Sequence, residues 1–193
     1  MRSKLNTMAS AAAAVVAAAA LARYLVRNSR YIDIAGKVVL ITGGSRGLGL
    51  VLAREFASRG SRVAICARHE RELEHVREEF SEQGKHLLAL TCDVGVRAEV
   101  GRMVQTVREQ LGPIDVLVNN AGAIVVGPAE NQDLETFKDT MQTNFWGPFY
   151  AISAVVEQMK NRRHGRIVNI ASIGGSFSAS PTVHRQQVRL SRL

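Results

Sequence analysis

Residues 37–49 read Lys37-Val38-Val39-Leu40-Ile41-Thr42-Gly43-Gly44-Ser45-Arg46-Gly47-Leu48-Gly49, and they constrain the fold more strongly than any other segment. The first half is a short apolar run rich in β-branched residues, which predicts a buried parallel strand. The second half is a glycine turn that leads into a helical pattern. Glycines suit such a turn because the backbone must bend tightly, approach a pyrophosphate without a Cβ between them, and start a helix whose amides face that anion. Gly43, Gly47 and Gly49 fit these roles, although the motif alone is also compatible with a turn that binds no ligand.

Four later segments each combine an apolar run with a characteristic polar or small-residue ending. They are Val63-Ala64-Ile65-Cys66-Ala67-Arg68, then Cys92-Asp93-Val94 after residues 87–90, Asn119-Asn120-Ala121-Gly122 after residues 114–118, and Arg166-Ile167-Val168-Asn169-Ile170-Ala171-Ser172. Together with the spacing Thr-Gly-x-x-x-Gly-x-Gly, and in this order, they resemble the classical short-chain dehydrogenase/reductase family. The resemblance extends over roughly residues 37–175.

Helical patterns separate these apolar runs, and this alternation predicts an α/β fold, a Rossmann-type doubly wound parallel sheet of five strands with flanking helices. The helices are expected at 69–80, 96–111 and 133–159, the last capped near Asp133. Its apolar residues are expected to point inward; they are Phe137, Met141, Phe145, Phe149, Ile152 and Val156. The predicted organisation is an N-terminal extension (1–31), one nucleotide-binding domain (32–184) and a basic tail (185–193).

Arg68 and its neighbour indicate which dinucleotide is preferred. An NAD-selective site places a carboxylate at the end of the second strand to bind the ribose hydroxyls, and Ala67 stands at that position. A 2′-phosphate would instead meet the guanidinium of Arg68, with Arg46 of the glycine turn as a second cation. The sequence therefore favours NADP over NAD, while the alternative is that both arginines are ordinary surface charges.

The resemblance implies a set of cofactor-binding residues. Asp93 is expected to bind the adenine amino group with Val94 beside the ring. The segment Asn119 to Gly122 is expected to line the cofactor and steady the sheet. The full set is Thr42, Gly43, Ser45, Arg46, Gly47, Leu48, Gly49, Arg68, Asp93, Val94, Asn119, Ala121 and Gly122.

The family's chemistry is hydride transfer between a nicotinamide and a carbonyl or alcohol substrate. The resemblance places the substrate-orienting serine at Ser172 and the asparagine that holds a water relay at Asn144. The family's tyrosine is expected near position 185, which holds Arg185, and its lysine near Arg189. Removal of a positioned acid or base costs about 10² to 10⁴ in rate. Two interpretations stay open: an NADP-dependent oxidoreductase, or a catalytically inactive, truncated cofactor-binding or interaction protein whose natural continuation was replaced after about His184.

Charge is concentrated at the two ends of the chain. Residues 32–184 contain 17 basic and 17 acidic residues, so the formal net charge of +8 comes from 1–31 and 185–193. The neutral centre has no basic stripe with interleaved aromatic residues, which argues against a nucleic-acid partner. The resemblance instead implies a homo-oligomer, with part of the long helix packed against a partner subunit.

The segment Met8–Ala22 is apolar apart from Ser10 and follows two basic residues. A helix of this length would span about 22 Å, less than the roughly 30 Å of a bilayer core. A membrane anchor or interfacial helix and an extension without a membrane role both remain open. A nucleotide-dependent fold and only two cysteines, Cys66 and Cys92, favour a cytoplasmic location, with membrane association through the N-terminus as the alternative. Both thiols are expected to be buried, and no metal-ligand spacing occurs.

Overall fold

The structure, a computed structural model, describes residues 33–125 and 133–171, in which strands alternate with helices. All of these elements lie in the unit that begins at Ile34. In chain order they are β1 (Val38–Thr42), α1 (Gly47–Ser58), β2 (Arg62–Ala67), α2 (Glu70–Glu82), β3 (Leu87–Thr91), α3 (Arg97–Gln110), β4 (Val116–Asn119), α4 (Leu134–Met141), a π-helical turn (Gln142–Trp146), α5 (Gly147–Asn161) and β5 (Arg166–Asn169). The predicted extension and tail lie outside the described residues, as does Ser172.

The five described strands form one parallel sheet in the order β3-β2-β1-β4-β5. Ile41 of β1 pairs with Ile65 of β2 on one side and with Val118 of β4 on the other. The strand order therefore reverses at β1, and the predicted α/β doubly wound sheet is confirmed. Ligands of such sheets bind beyond the carboxyl ends of the strands at this point of reversal.

Helices cover both faces of the sheet, and each face has its own apolar core. One core contains Val39, Ile41 and Val63 packed with residues of α1 and α2 such as Ala53 and Phe80. The other packs the opposite side chains of the strands against α3 and α5. The buried residues of α3 are Val100, Met103, Val104 and Val107, all on the side that faces this core. Successive side chains of a strand point to opposite faces of the sheet, so each strand contributes residues to both cores.

The predicted long helix is capped as expected, because the carboxylate of Asp133 accepts a hydrogen bond of 2.7 Å from the amide of Thr136. The prediction of its buried face was wrong in part, although Ile152 is partly buried and packs against the core as predicted. Phe137 and Phe149 are exposed, and α4 has no buried residue. The buried positions of α5 are instead Gly147, Ala151, Val155 and Met159. Small side chains let the helix approach its neighbours closely, whereas bulky rings at the same positions would hold it away.

The helix is also interrupted by the π-helical turn at Gln142–Trp146. Pro148 follows in the first turn of α5 and has no amide to donate to the carbonyl of Asn144, four residues earlier. A proline ring also clashes with that carbonyl in a regular helix. The local sequence therefore favours a break here, and π-helical turns often coincide with functional positions.

Two further features qualify the sequence predictions. In the part of the sheet that the structure describes, β5 is an edge strand, and Val168 within it and Ile170 directly after it are more than one third exposed. None of the described helices is both long and apolar enough to cross a bilayer. The segment Met8–Ala22 lies outside the described residues.

Asp115 ties three elements together at the amino edge of the sheet. Its carboxylate accepts hydrogen bonds from the amide of Val38 (3.0 Å) and from the guanidinium of Arg162 (2.9 Å), and the same guanidinium donates to the carbonyl of Ile114 (2.6 Å). Burial raises the pKa of Asp115, but these donors outweigh burial and hold its pKa below the usual value. The ionised carboxylate therefore stabilises the junction of β1, β4 and α5.

We predict that Asp115→Asn lowers the free energy of unfolding by about 1 to 3 kcal/mol at neutral pH, because a buried charge-assisted interaction is lost. Since the pKa is lowered in the folded state, the stabilisation is complete above about pH 4, the ordinary range of a free aspartate, and disappears as the pH falls through the folded pKa. Urea unfolding of both proteins between pH 7 and pH 3 should show the difference shrinking with acid. Asp139→Asn, at an exposed position of α4, serves as the control; an unchanged difference across the pH range would contradict the assignment.

Candidate functional site

A cleft of about 230 Å³ opens at the carboxyl ends of the strands. Its lining residues follow four different strands: Gly43, Ser45 and Arg46 after β1; Ala67 and Arg68 at the end of β2; Asp93 and Val94 after β3; and Asn120, Ala121 and Gly122 after β4. The cleft therefore lies where the strand order reverses. Eight of the residues predicted to bind cofactor line it; they are Gly43, Ser45, Arg46, Arg68, Asp93, Val94, Ala121 and Gly122.

The glycine turn makes direct backbone contact with the loop after β4. Gly43 has a φ of +66°, and a Cβ on it would lie 2.8 Å from the Cα of Ala121. A Cβ on Gly49 would lie 2.5 Å from the side-chain nitrogen of Asn120 and closer still to the carbonyl oxygen of Gly43. Real Cβ contacts are not this short, so both positions require glycine.

Thr42 and Asn120 fasten the same two segments by hydrogen bonds. The side-chain amide of Asn120 donates hydrogen bonds of 3.0 Å to the backbone carbonyls of Thr42 and Gly43. The hydroxyl of Thr42 accepts bonds from the backbone amides of Asn120 (3.0 Å) and Ala121 (3.1 Å). Thr42 is buried, so its predicted role in cofactor binding would be exerted through the position of this loop.

The start of α1 offers backbone donors beside the cleft. Arg46 is the N-cap residue in an extended conformation, and among the described residues no side chain caps this end. The first amides of a helix have no partners within the helix, and the helix dipole favours an anion there. The predicted residues Gly47 and Leu48 occupy this first turn, exposed to solvent. The geometry suits a pyrophosphate.

The rim of the cleft beside β2 carries charges of both signs. Arg46, Arg68 and His69 line it together with Glu72 of α2. The hydroxyl of Ser45 donates a 2.5 Å hydrogen bond to the carboxylate of Glu72, and the guanidinium of Arg46 lies 3.8 Å from that carboxylate. The hydrogen bond from Ser45 is the main reason that the pKa of Glu72 is lowered, and the nearby cations lower it further.

The far wall of the cleft is formed by the loop after β3. The carboxylate of Asp93 accepts a 2.8 Å hydrogen bond from the amide of Gly95, which fixes its orientation beside the cleft. Val94 is buried against α5, where a Cβ on Gly147 would lie 2.9 Å from its side chain. A carboxylate next to an apolar wall is suited to an adenine ring and its amino group.

Asn144 lies in the π-helical turn and clamps the loop after β4. Its side-chain oxygen accepts a 2.8 Å bond from the amide of Ala123, and its side-chain nitrogen donates a 2.8 Å bond to the carbonyl of the same residue. The loop therefore has a defined path next to Gly122. Ser172, the other predicted catalytic residue, lies outside the described residues.

Asn119 connects β4 to β5 and does not line the cleft. It is buried, and its side-chain nitrogen donates a 2.8 Å bond to the side-chain oxygen of Asn169. Its own side-chain oxygen has no hydrogen-bond partner within the described residues. Its place between the strands agrees with the sheet-steadying part of its predicted role.

Cys66 and Cys92 are both buried at the base of the cleft, as predicted. A hydrogen bond to Cys92 and burial raise the pKa of Cys66 well above its usual range. A thiol in such a setting is protonated and a poor nucleophile. Cys66 is therefore a structural thiol.

Comparison with known proteins agrees with this arrangement. The family model described as short chain dehydrogenase matches residues 37–183. This chain belongs to the short chain dehydrogenase family. It is 38% identical over 152 residues to 11-beta-hydroxysteroid dehydrogenase A of Sesamum indicum, a match that covers 78% of this chain and 42% of that protein. The chain spans about half the length of the curated relatives it matches.

Solved structures with similar sequences share the fold. An actinorhodin polyketide ketoreductase solved with NADPH is 39% identical with a TM-score of 0.72, and the match covers 76% of this chain and 57% of that one. A blue fluorescent protein from a metagenomic library, in complex with NADPH, is 34% identical with a TM-score of 0.72, covering 79% of this chain and 62% of that one.

Residues of the short chain dehydrogenase cleft that the sequence analysis did not single out are Glu72, His69 and Thr143. Glu72 lies four residues after Arg68 in a charged helix, where one carboxylate cannot be distinguished from its neighbours by sequence. Thr143 reaches the cleft from the π-helical turn, which the regular helical pattern did not predict.

We predict that Gly49→Ala abolishes measurable nucleotide binding and lowers the free energy of unfolding by about 1 to 3 kcal/mol, because the new methyl group overlaps Gly43 and Asn120. NADPH titration and thermal unfolding would measure the two effects. Gly101→Ala is the matched control, since a Cβ there meets nothing within 4 Å. That change in α3 should raise stability by up to about 1 kcal/mol. Normal binding and stability in Gly49→Ala would contradict the described contact.

Proposed function

We propose that this chain binds NADP(H) in the cleft and that the protein it represents is an oxidoreductase that transfers hydride between the nicotinamide and a carbonyl or alcohol substrate. One observation carries the cofactor assignment: Arg46 and Arg68 line the same end of the cleft, where Ala67 replaces the acidic residue of an NAD-selective site. A guanidinium pairs well with a phosphate. Relatives solved with NADPH support the same choice.

Each part of the dinucleotide has residues suited to it. The first amides of α1 and the glycine turn would hold the pyrophosphate, and Asp93 with Val94 would bind the adenine. Arg68 and Arg46 would bind the 2′-phosphate. The clamp between Asn144 and Ala123 would fix the loop that leads toward the nicotinamide half. When bound, the cofactor supplies or accepts the hydride, while these residues bind and orient it.

A second candidate is a cofactor-binding protein without turnover. It is favoured by Arg185 at the position where the family resemblance expects a tyrosine, because an arginine stays protonated and cannot exchange a proton with the substrate. The two candidates share the nucleotide site and differ in the chemistry. NADPH binding with consumption in the presence of a broad carbonyl panel would support the oxidoreductase. Binding without consumption would support the second candidate.

We also propose that copies of this chain associate through the aromatic surface of α4, the π-helical turn and α5. Phe137, Trp146 and Phe149 are all more than one third exposed there. The ring of Trp146 contacts that of Phe149 edge to face, with centroids 5.9 Å apart. An exposed patch of this kind is characteristic of protein interfaces.

We predict that Arg68→Ala weakens NADPH binding about tenfold and leaves NADH binding within twofold of the unchanged protein, because only the phosphorylated ribose loses a charge-assisted hydrogen bond. Titration followed by nucleotide fluorescence would measure both. Arg71→Ala, also exposed near the start of α2, is the matched control and should change neither affinity. Equal losses for NADPH and NADH would show that Arg68 does not contact the 2′-phosphate.

A further inference from the structure

A carboxylate stands among the cations that the proposed 2′-phosphate site would use. Glu72 lines the same end of the cleft as Ser45, Arg46 and Arg68, although it comes from the first turn of a different element, α2. Its side chain is 33% exposed, compared with 82% for Arg46. Glu72 is thus the more enclosed partner, and the arginine is the one that can swing toward a ligand.

Glu72 already engages two groups that a phosphate would bind. The hydroxyl of Ser45 donates to one carboxylate oxygen at 2.5 Å, and Arg46 lies 3.8 Å from the other. A phosphate entering this end of the cleft would compete with Glu72 for both donors. It would also bring almost two negative charges close to the carboxylate, and like charges at short range repel each other.

A ribose with a free 2′-hydroxyl would meet the opposite situation. Carboxylates are the groups with which dinucleotide sites accept hydrogen bonds from ribose hydroxyls. The usual position for that carboxylate, at the end of β2, holds Ala67. The first turn of α2, which comes shortly after β2, instead supplies Glu72 to the same part of the cleft.

We propose that Glu72 is a specificity-determining residue that weakens binding of a ribose 2′-phosphate relative to a free 2′-hydroxyl, so that the chain discriminates only modestly between NADP and NAD. The proposal rests on the assignment of this cleft to the adenosine half of the cofactor. Arg46 and Arg68 attract the phosphate, and Glu72 opposes them. The balance among these three side chains sets the ratio of the two affinities.

The test compares adenosine 2′,5′-bisphosphate with adenosine 5′-monophosphate, two probes that differ by the 2′-phosphate alone. Calorimetric titration of the full chain with each probe would be performed for the unchanged protein, Glu72→Gln and Glu72→Ala. Both variants should bind the bisphosphate about tenfold more tightly, because the repulsion between the Glu72 carboxylate and the 2′-phosphate is removed. Neither variant should bind the monophosphate more tightly. The gain should shrink at high salt because it is electrostatic.

Glu74→Gln is the matched control, because Glu74 is exposed on the same helix and its substitution removes the same charge from the chain. Its affinities for both probes should be unchanged. If Glu72→Gln and Glu72→Ala bind the bisphosphate no more tightly than the unchanged protein does, the role of Glu72 is overturned while the proposed cofactor site stands. If the unchanged protein binds neither probe, the proposed function is overturned together with this inference. Thermal unfolding of each variant would confirm that it is folded during the titrations.

Discussion

The close approach of two backbone segments, the glycine turn after β1 and the loop after β4, is the constraint on which the rest of the site depends. Gly43 and Gly49 leave room for it, and Asn120 and the hydroxyl of Thr42 fasten it with four hydrogen bonds. These contacts close the gap where the strand order reverses. They give the cleft a rigid floor and direct the first turn of α1 toward any anion that enters.

Electrostatics divides this cleft into regions with different tasks. Backbone amides at the start of α1 provide donors that carry no full charge and do not depend on pH. The rim beyond β2 contains full charges on arginine and glutamate side chains, where selectivity can change without any change of fold. A rigid floor and an adjustable charged rim are compatible because the floor is made by backbone atoms of the glycine turn and of the loop after β4, whereas the rim is made by the side chains of Arg46, Arg68 and Glu72.

The sheet could be predicted well from the sequence because the signals for its strands and turns are local. Each strand is a short apolar run, and each turn has its own small or polar residues, so five strands and the position of the cleft followed directly. The buried face of α5 could not be predicted in the same way. Ala151 and Val155 are buried while Phe149 is exposed, a choice set by the distance between α5, the sheet and α3 and not by hydrophobicity. Glu72 was missed for a similar reason, because its role arises only from the proximity of Ser45 and Arg46.

The π-helical turn at Gln142–Trp146 has a consequence for how this protein tolerates insertions and deletions. A π-helical turn accommodates one more residue than a regular α-helical turn, and each residue of an α-helix corresponds to a rotation of about 100°. Loss of a single residue there would convert the turn to regular helix and rotate α5 about its axis relative to α4. Either Ala151 and Val155 would then lose their contacts with the core, or Asn144 would lose its hydrogen bonds to the backbone of Ala123. The chain length of this segment is therefore fixed more strictly than its composition.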